Sequence, residues 1–208
     1  MFARRRRDMV DDQLVRRGIA DAAVLASMAS VPRHLFVLEK DRGRAYEDHP
    51  IRIGLGQTIS QPYIVALMCE LARIKTGNRV LDVGTGSGYQ AAVLCDLGAE
   101  VHTIEILAAH AEQASNRFRE LGLSIAVRCG DGRLGWPEAA PFDAILVAAA
   151  PKHVPEPLLE QLTVGGRLII PVGDLDQELL CIERTPYGWD RKRVTTVSFV
   201  PLTGGSQL

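Results

Sequence analysis

The chain has 208 residues, of which 47% are hydrophobic and 24% are charged. This length and composition predict one folded domain with a sizeable core and exclude disordered and fibrous proteins. The longest apolar run, Ala144 to Ala150, has seven residues, whereas roughly 20 are needed to cross a bilayer. No signal peptide is recognisable at the N-terminus. We therefore expect no membrane association and a cytoplasmic location.

The 24 basic and 25 acidic residues give a formal net charge of -1, so no global field attracts nucleic acid. The run Arg4 to Arg7 is the local exception. It is interpreted as a solvated arm ahead of the first helix, with a docking patch for an acidic partner as the alternative. The four cysteines form no C-x-x-C pair, and the five histidines show no metal-ligand spacing. These patterns predict reduced thiols and no metal site.

Helical patterns dominate up to about residue 75. Asp8 and Asp21 are the predicted N-caps of the first two helices. A glycine-rich stretch follows, and Pro62 fits the first turn of a third helix, which makes Ser60 or Gln61 its N-cap. This part of the chain is expected to be a helical extension packed on the rest.

From residue 76 onwards, short apolar runs alternate with helical stretches, which is typical of βαβ units. The predicted fold class is therefore α/β, a doubly wound, mostly parallel seven-stranded sheet with an antiparallel edge strand. We expect one domain over residues 1–208, with the extension at 1–75 and the cofactor-binding sheet at 76–208. The predicted strands are 79–83, 101–105, 125–128, 144–147, 167–171, 178–183 and 193–199. The predicted helices between them are 88–97, 107–121 and 155–162.

The segment Val80 to Tyr89 reads as a buried strand that runs into a glycine-rich turn and a helix. In open α/β sheets, ligands bind beyond the carboxyl ends of the strands. Gly84, Gly86 and Gly88 allow the backbone to approach a ligand closely. Glu105 ends the next predicted strand, where a carboxylate accepts hydrogen bonds from ribose hydroxyls. Together these features predict a bound nucleoside.

The glycine spacing distinguishes between nucleosides. The turn reads G-x-G-x-G rather than the dinucleotide pattern G-x-G-x-x-G, and Asp82 precedes it. A carboxylate there suits a cationic ligand and repels a diphosphate. This pattern resembles motif I of the S-adenosylmethionine-dependent methyltransferases; the alternative is that the glycines only shape the turn. After the third predicted strand, Asp131 or a nearby amide could meet the exocyclic amine of an adenine, although Asp131 alone would also suit a plain turn.

Eight segments, taken in chain order, together resemble the bacterial protein-L-isoaspartate O-methyltransferases. The segments G-x-G-Q-T-I-S-x-P and V-P-L-T are particular to that family, whereas motif I is shared by many methyltransferases. One departure is Ile106, where bacterial relatives often carry a basic residue. The segments are Val31–Phe36, Gly54–Pro62, Asp82–Gln90, Gly130–Gly132, Pro141–Ile145, Gly165–Leu168, Pro171–Gly173 and Phe199–Thr203.

The resemblance implies that S-adenosylmethionine is the methyl donor and that L-isoaspartyl proteins and peptides are the substrates. Esterification of the free α-carboxyl group lets the chain reclose to a succinimide and reopen as aspartate, which repairs the protein. The resemblance places Ser60 at the active site, where its hydroxyl can donate to the attacking carboxylate; the alternative role is the helix N-cap. It further implies a cofactor site of Asp82, Gly84, Thr85, Gly86, Gly88, Glu105, Asp131 and Gly132, and substrate contacts from Thr58, Ile59, Leu202 and Thr203.

Three other functions would each require a different sequence pattern. A serine hydrolase is excluded on spacing, because Thr85 and Tyr89 stand two residues before and after Ser87, where the nucleophile elbow G-x-S-x-G requires glycines. An RNA or small-molecule methyltransferase would keep motif I, but only 5% of the residues are aromatic, which leaves no platform for bases. A protein that binds the nucleoside without catalysis is the non-enzyme alternative. We expect a monomer that contacts neither nucleic acid nor membrane.

Overall fold

A computed structural model describes residues 1–204 of the chain. The α-helices are α1 (Phe2–Met9), α2 (Ala22–Ser30), α3 (Pro62–Ala72), α4 (Tyr89–Asp96), α5 (Ala108–Glu120) and α6 (Glu156–Glu160). The strands are β1 (Ile51–Gly54), β2 (Gln57–Ile59), β3 (Arg79–Val83), β4 (Glu100–Glu105), β5 (Ile125–Cys129), β6 (Phe142–Val147), β7 (Leu162–Val172), β8 (Gln177–Thr185) and β9 (Gly188–Val197).

The main sheet has seven strands in the order β5-β4-β3-β6-β7-β8-β9. The first five pair in parallel, whereas β8 pairs antiparallel with both β7 and β9. The predicted fold class is therefore confirmed, and β8 and β9 form an antiparallel pair at one edge of the sheet. The strand order reverses at β3, since β4 and β6 lie on either side of it. Ligands bind at such a reversal, beyond the carboxyl ends of the strands.

The core follows the two-residue period of the strands. On β3, Val80 packs into the larger core cluster, whereas Leu81 and Val83 pack into the smaller cluster on the opposite face. Because both faces of a parallel sheet are covered by helices, its central strands are buried on both sides. The larger cluster also contains Met9, Met28 and other residues of the N-terminal extension. The extension and the sheet therefore share one hydrophobic core.

The N-terminal prediction needs correction. Helix α1 begins at Phe2 and contains Arg4–Arg7, so these arginines form no arm ahead of the helix, and Asp8 is not an N-cap. Arginine is a good helix former, and the helical path continues through a π turn over Val10–Leu14. Asp21 does cap α2, because its side chain accepts hydrogen bonds from two amides of the first turn.

The glycine-rich stretch contains a hairpin that the sequence analysis did not predict. Strands β1 and β2 pair antiparallel and are joined by a two-residue turn at Leu55 and Gly56, both with positive φ. The hairpin leads through Ser60 and Gln61 into α3, whose N-cap is Gln61. No helix within residues 1–204 is long and apolar enough to span a membrane.

Candidate active site

A cavity of about 800 Å³, counting the part open to solvent, lies at the carboxyl ends of β3 and β4. The sheet supplies one wall, the hairpin segment a second, and residues after β9 a third. The predicted site residues on these walls are Thr58, Ile59, Ser60, Gly84, Thr85, Gly86, Glu105, Gly132, Leu202 and Thr203. We call this space the first cavity.

Glycine is required for steric reasons at two positions, one in the glycine-rich turn and one on the loop after β5. Gly88 has φ +90°, and a Cβ there would lie 2.6 Å from the ring of Phe118. Gly132, on the loop after β5, has ordinary φ, but a Cβ there would overlap the Val83 side chain. Gly132 lines the first cavity, whereas Gly88 lies behind it. Gly88 therefore shapes the turn, and Gly132 lets the loop approach β3 closely.

Glu105 is the charged group of the first cavity. Its side chain is 6% exposed and lines the cavity at the end of β4. One carboxylate oxygen accepts from the Gly86 amide at 2.8 Å, and the other accepts from the Leu107 amide at 2.9 Å. Each carboxylate oxygen has two lone pairs, so both retain capacity for a ligand hydroxyl. Glu105 thus orders the turn and faces the cavity at the same time.

Asp82 lies beneath the turn and not on the cavity wall. Its side chain is fully buried, and its oxygens accept from Gln90 Nε2 at 2.8 Å and from Thr103 Oγ1 at 2.9 Å. Burial raises the pKa of Asp82 to about 6, although the two hydrogen bonds oppose this rise. Asp82 therefore does not lie beside the ligand, where the sequence predicts it. Its charge can act on a ligand only indirectly, through Gln90 and Thr103.

Two side chains carry that effect to the cavity. An ionised Asp82 can only accept a hydrogen bond, so the Thr103 hydroxyl donates its proton to Asp82. The Thr103 oxygen then accepts from the Thr85 hydroxyl, 2.6 Å away. This leaves the Thr85 oxygen as an acceptor on the wall. Gln90 also lines the cavity, and its buried Oε1 has no partner among the described residues. A buried acceptor without a partner is costly and fits a ligand that bears an amine.

Asp131 does not line the first cavity. Its carboxylate accepts from the amide and the guanidinium of Arg133, the closest contact being 2.6 Å. The neighbouring Gly132 is on the wall, so this loop reaches the cavity by its backbone. Of the two groups that could meet an adenine amine, the Asp131 carboxylate and a nearby amide, only the segment at Gly132 is on the wall, and contact with the ligand stays a prediction.

A second cavity opens beside the first. The two share Thr58, Ser60, Ala148 and Val200, so these residues form the junction between them. Because Gln61 is the N-cap of α3, the Ser60 hydroxyl is not the cap of that helix. The second cavity is further lined by Tyr63 of α3 and by residues at the end of β9 and after it, Thr195–Phe199.

The segment after β9 contributes differently to the two cavities. Leu202 donates to the Ala150 carbonyl at 2.8 Å, and the Ala150 amide donates to the Val200 carbonyl. This ladder holds Leu202 and Thr203 against the first cavity, whereas Val200 reaches both. Leu202 and Thr203 are predicted to contact the substrate, and they line the same cavity as Glu105, from the wall formed by residues after β9.

Arg17 and Gln90 are wall residues that the sequence analysis did not assign. Arg17 lines the second cavity, where its guanidinium lies 3.4 Å from the centre of the Tyr63 ring and pairs with Asp48 at 2.6 Å. Gln90 lies in the first turn of α4, directly after the glycine-rich motif, and this position is the signal that could have identified it. Among residues 1–204, no cluster of three or more His, Cys, Asp or Glu could hold a metal ion.

The comparisons with known proteins agree with this geometry. The chain is 56% identical over 198 residues to the protein-L-isoaspartate O-methyltransferase of Gloeobacter violaceus, covering 94% of this chain and 97% of that one. Among solved structures, a protein-L-isoaspartate O-methyltransferase superposes with a TM-score of 0.88 at 28% identity, over 95% of this chain and 66% of that chain. The beta-aspartate methyltransferase of Plasmodium falciparum, in complex with S-adenosyl-L-homocysteine, gives a TM-score of 0.83 at 28% identity, covering 95% of this chain and 98% of that one.

The sequence profile of one family matches residues 4–207, which is nearly the whole chain. The chain belongs to the protein-L-isoaspartate(D-aspartate) O-methyltransferase family.

Proposed function

We propose that this protein repairs L-isoaspartyl residues by methylating their free α-carboxyl group, with Ser60 aligning the attacking carboxylate. The observation that carries the proposal is the junction at Ser60 and Thr58, where the first cavity meets the second. A cofactor in one cavity and a peptide in the other would meet there. Family membership makes the enzyme dependent on S-adenosylmethionine.

The first cavity fits this cofactor. Glu105 presents a carboxylate where ribose hydroxyls can donate, and Gln90 Oε1 offers a buried acceptor for an amine. The backbone at Gly132 reaches the wall where an adenine edge can bind. When bound, S-adenosylmethionine supplies a methyl group on a sulfonium, which is already a good leaving group. The residues that would hold it are therefore Thr85, Gln90, Glu105 and the backbone of the two glycine-containing loops.

The attacking carboxylate needs alignment rather than activation. A carboxyl group with a pKa near 4 is ionised at pH 7, so no base has to remove a proton. No histidine lies among the described residues of either cavity wall. Alignment of two reactants can lower a barrier by up to roughly 7–11 kcal/mol. We assign that alignment to the Ser60 hydroxyl, with Thr58 and the Ile59 amide as further donors.

The second cavity is the proposed site of the substrate peptide. An isoaspartyl residue is defined by its backbone and not by a side chain, so main-chain contacts must recognise it. The chain from 195 to 200 forms a wall of this cavity beside Ser60, and its main chain is the part that we propose makes these contacts. This proposal places the peptide beside the end of β9, whereas the resemblance implies substrate contacts from Leu202 and Thr203.

The remaining expectations are part of the proposal. The protein acts as a single domain and a monomer in the cytoplasm, and its partners are damaged proteins rather than nucleic acid or membrane. The shared core between the N-terminal extension and the sheet supports the single domain.

Substrate choice can be tested with radiolabelled S-adenosylmethionine. Three acceptors are compared: an isoaspartyl peptide, the same peptide with normal aspartate, and bulk RNA. We expect label in the isoaspartyl peptide alone. Equal label in both peptides would refute recognition of the isomerised backbone, label in RNA would indicate a nucleic acid methyltransferase, and label in none would indicate binding without catalysis.

The role of Ser60 can be tested with Ser60→Ala. We expect turnover on the isoaspartyl peptide to fall by about 10-fold or more, since a hydrogen bond to a charged group contributes roughly 1.5–3 kcal/mol. Affinity for S-adenosylhomocysteine, measured by calorimetry, should change little. Ser30→Ala is the matched control, because Ser30 bonds to Asp96 and lines neither cavity. Wild-type turnover in Ser60→Ala would remove the hydroxyl from the mechanism.

A further inference from the structure

Arg33 is a fully buried cation behind the active site. Its side chain is 0% exposed, and among residues 1–204 no other lysine or arginine is more than nine-tenths buried. Burial lowers the pKa of Arg33 to about 10, so the guanidinium still carries its charge at pH 7. Burying a charge costs several kcal/mol unless its hydrogen bonds are well satisfied. The hydrogen-bond partners of Arg33 therefore indicate which contacts the buried charge maintains.

Those partners are main-chain carbonyls of two separate segments. Arg33 Nε donates to the Ala45 carbonyl at 2.7 Å, and Nη2 donates to the Ser60 carbonyl, also at 2.7 Å. The guanidinium carbon lies 4.7 Å from the centre of the Tyr89 ring, within the range of a cation–π contact. Tyr89 begins α4 and lines the first cavity.

One planar group thus connects three parts of the molecule: the 3₁₀ turn before Ala45, the peptide group of Ser60, and the helix that follows the glycine-rich turn. Arg33 itself lines neither cavity. The hairpin segment that carries Ser60 is short, since β2 has three residues. A buried donor at the Ser60 carbonyl fixes the position of that peptide group.

We propose that Arg33 is a positioning residue, which holds the Ser60 peptide group so that the hydroxyl stands at the junction of the two cavities. This inference rests on the proposed role of Ser60 in aligning the substrate carboxylate. In a displacement that depends on alignment, a misplacement of about 1 Å can cost about 100-fold in rate. A fault in this contact therefore lowers turnover more than it lowers cofactor affinity.

Arg33→Lys is the first test. Lysine keeps the charge but presents a single ammonium instead of a planar fork, so it cannot reach both carbonyls with the same geometry. We expect kcat on the isoaspartyl peptide to fall by about 10- to 100-fold. Affinity for S-adenosylhomocysteine should change by less than about threefold, and the amides of residues 57–61 should exchange hydrogen faster. Arg33→Gln, which removes the buried charge, is the second variant and should show the same pattern if the lysine variant does not fold.

Arg167→Lys is the matched control. Arg167 is also largely buried, at 14% side-chain exposure, donates to the Leu71 carbonyl at 2.9 Å and pairs with Glu183. It lines neither cavity. We expect this variant to lose thermal stability and to keep its kcat. Each enzyme is assayed at the same number of degrees below its own melting temperature, so that differences in thermal stability do not affect the comparison of kcat values.

Two results would overturn the inference. The first is unchanged amide exchange of residues 57–61 and unchanged kcat in the Arg33 variants. The second is an equal loss of kcat in the Arg167 control, which would show that any buried arginine has the same effect. Two measurements distinguish failure of the Arg33 inference from failure of the proposed function. Wild-type turnover in Ser60→Ala would refute the role of the hydroxyl. Amide exchange in the Arg33 variants tests the role of Arg33 independently of catalysis.

Discussion

The buried carboxylate of Asp82 predicts a specific pH dependence of folding. Burial raises its pKa from the usual 3.8 to about 6 in the folded protein. Below about pH 4 this carboxyl is protonated in both the folded and the unfolded state. Between about pH 4 and pH 6 the unfolded state releases the proton while the folded state retains it. The free energy of unfolding contributed by Asp82 is therefore fully present below the unfolded pKa and is lost as the pH rises through the folded pKa.

The size of the effect follows from the same pKa. One pKa unit corresponds to 1.36 kcal/mol, so the rise to about 6 corresponds to roughly 3 kcal/mol. Because the side chain is 0% exposed, solvent screening does not reduce this value much. Asp82→Asn removes the titrating group and leaves one acceptor oxygen for two donors, Gln90 and Thr103. The variant is therefore compared with the wild type by its pH dependence and not by its absolute stability.

Urea unfolding at a series of pH values between about 4 and 8 measures this difference. The free energy of unfolding of the wild type should fall relative to that of Asp82→Asn by roughly 2–3 kcal/mol across this range, with most of the change below about pH 6. Above that value the two curves should run parallel. Parallel curves over the whole range would refute a raised pKa for Asp82, and a relative gain in wild-type stability with pH would reverse its sign.

Three further predictions concern the cavity walls. Glu105→Gln should lower the affinity for S-adenosylhomocysteine at least about tenfold. It should also lower the melting temperature by several degrees, because one of the two backbone amides bonded to Glu105 loses its acceptor. Unchanged affinity by calorimetry would remove Glu105 from the site. Gly132→Ala should destabilise by about 1–3 kcal/mol through overlap with a valine, whereas Gly130→Ala, with open space at its Cβ, should not; equal unfolding midpoints would contradict this. The single-turnover rate at saturating cofactor should stay flat between about pH 6.5 and 8, and a limb lost on replacing His102 or His153 would indicate a base.

The sheet could be predicted from the sequence because its signals are local. Buried parallel strands read as continuous apolar runs, and glycines mark the ends of the helices between them. The hairpin at β1 and β2 was missed because its strands have four and three residues, too few for an alternating pattern to stand out. The start of α1 was missed because four successive arginines were interpreted as solvated, although arginine favours helix.

A site residue could be predicted from the sequence where its position at the end of a strand places it at the cavity. Glu105 ends a strand beside the strand that carries the glycine-rich turn, so its place at the cavity followed from topology. The position of Asp82 did not follow, because successive side chains on a central strand alternate between two buried faces, and the sequence does not say which face borders the ligand. Arg33 could not be predicted as buried, because arginine is almost never buried without partners and its partners come from distant segments.

The charges on the two walls fit the two reactants of the proposed reaction. Among the described lining residues, Glu105 is the one charged group of the first cavity and Arg17 the one charged group of the second. The negative charge of Glu105 favours a cationic sulfonium, and Arg17, although paired with Asp48, has further guanidinium donors for a carboxylate. Methyl transfer between them neutralises both charges, so strong charges at the reacting atoms would stabilise the reactants more than the transition state. The junction carries only the neutral hydroxyls of Thr58 and Ser60 beside Ala148 and Val200, which holds the carboxylate in place without this penalty.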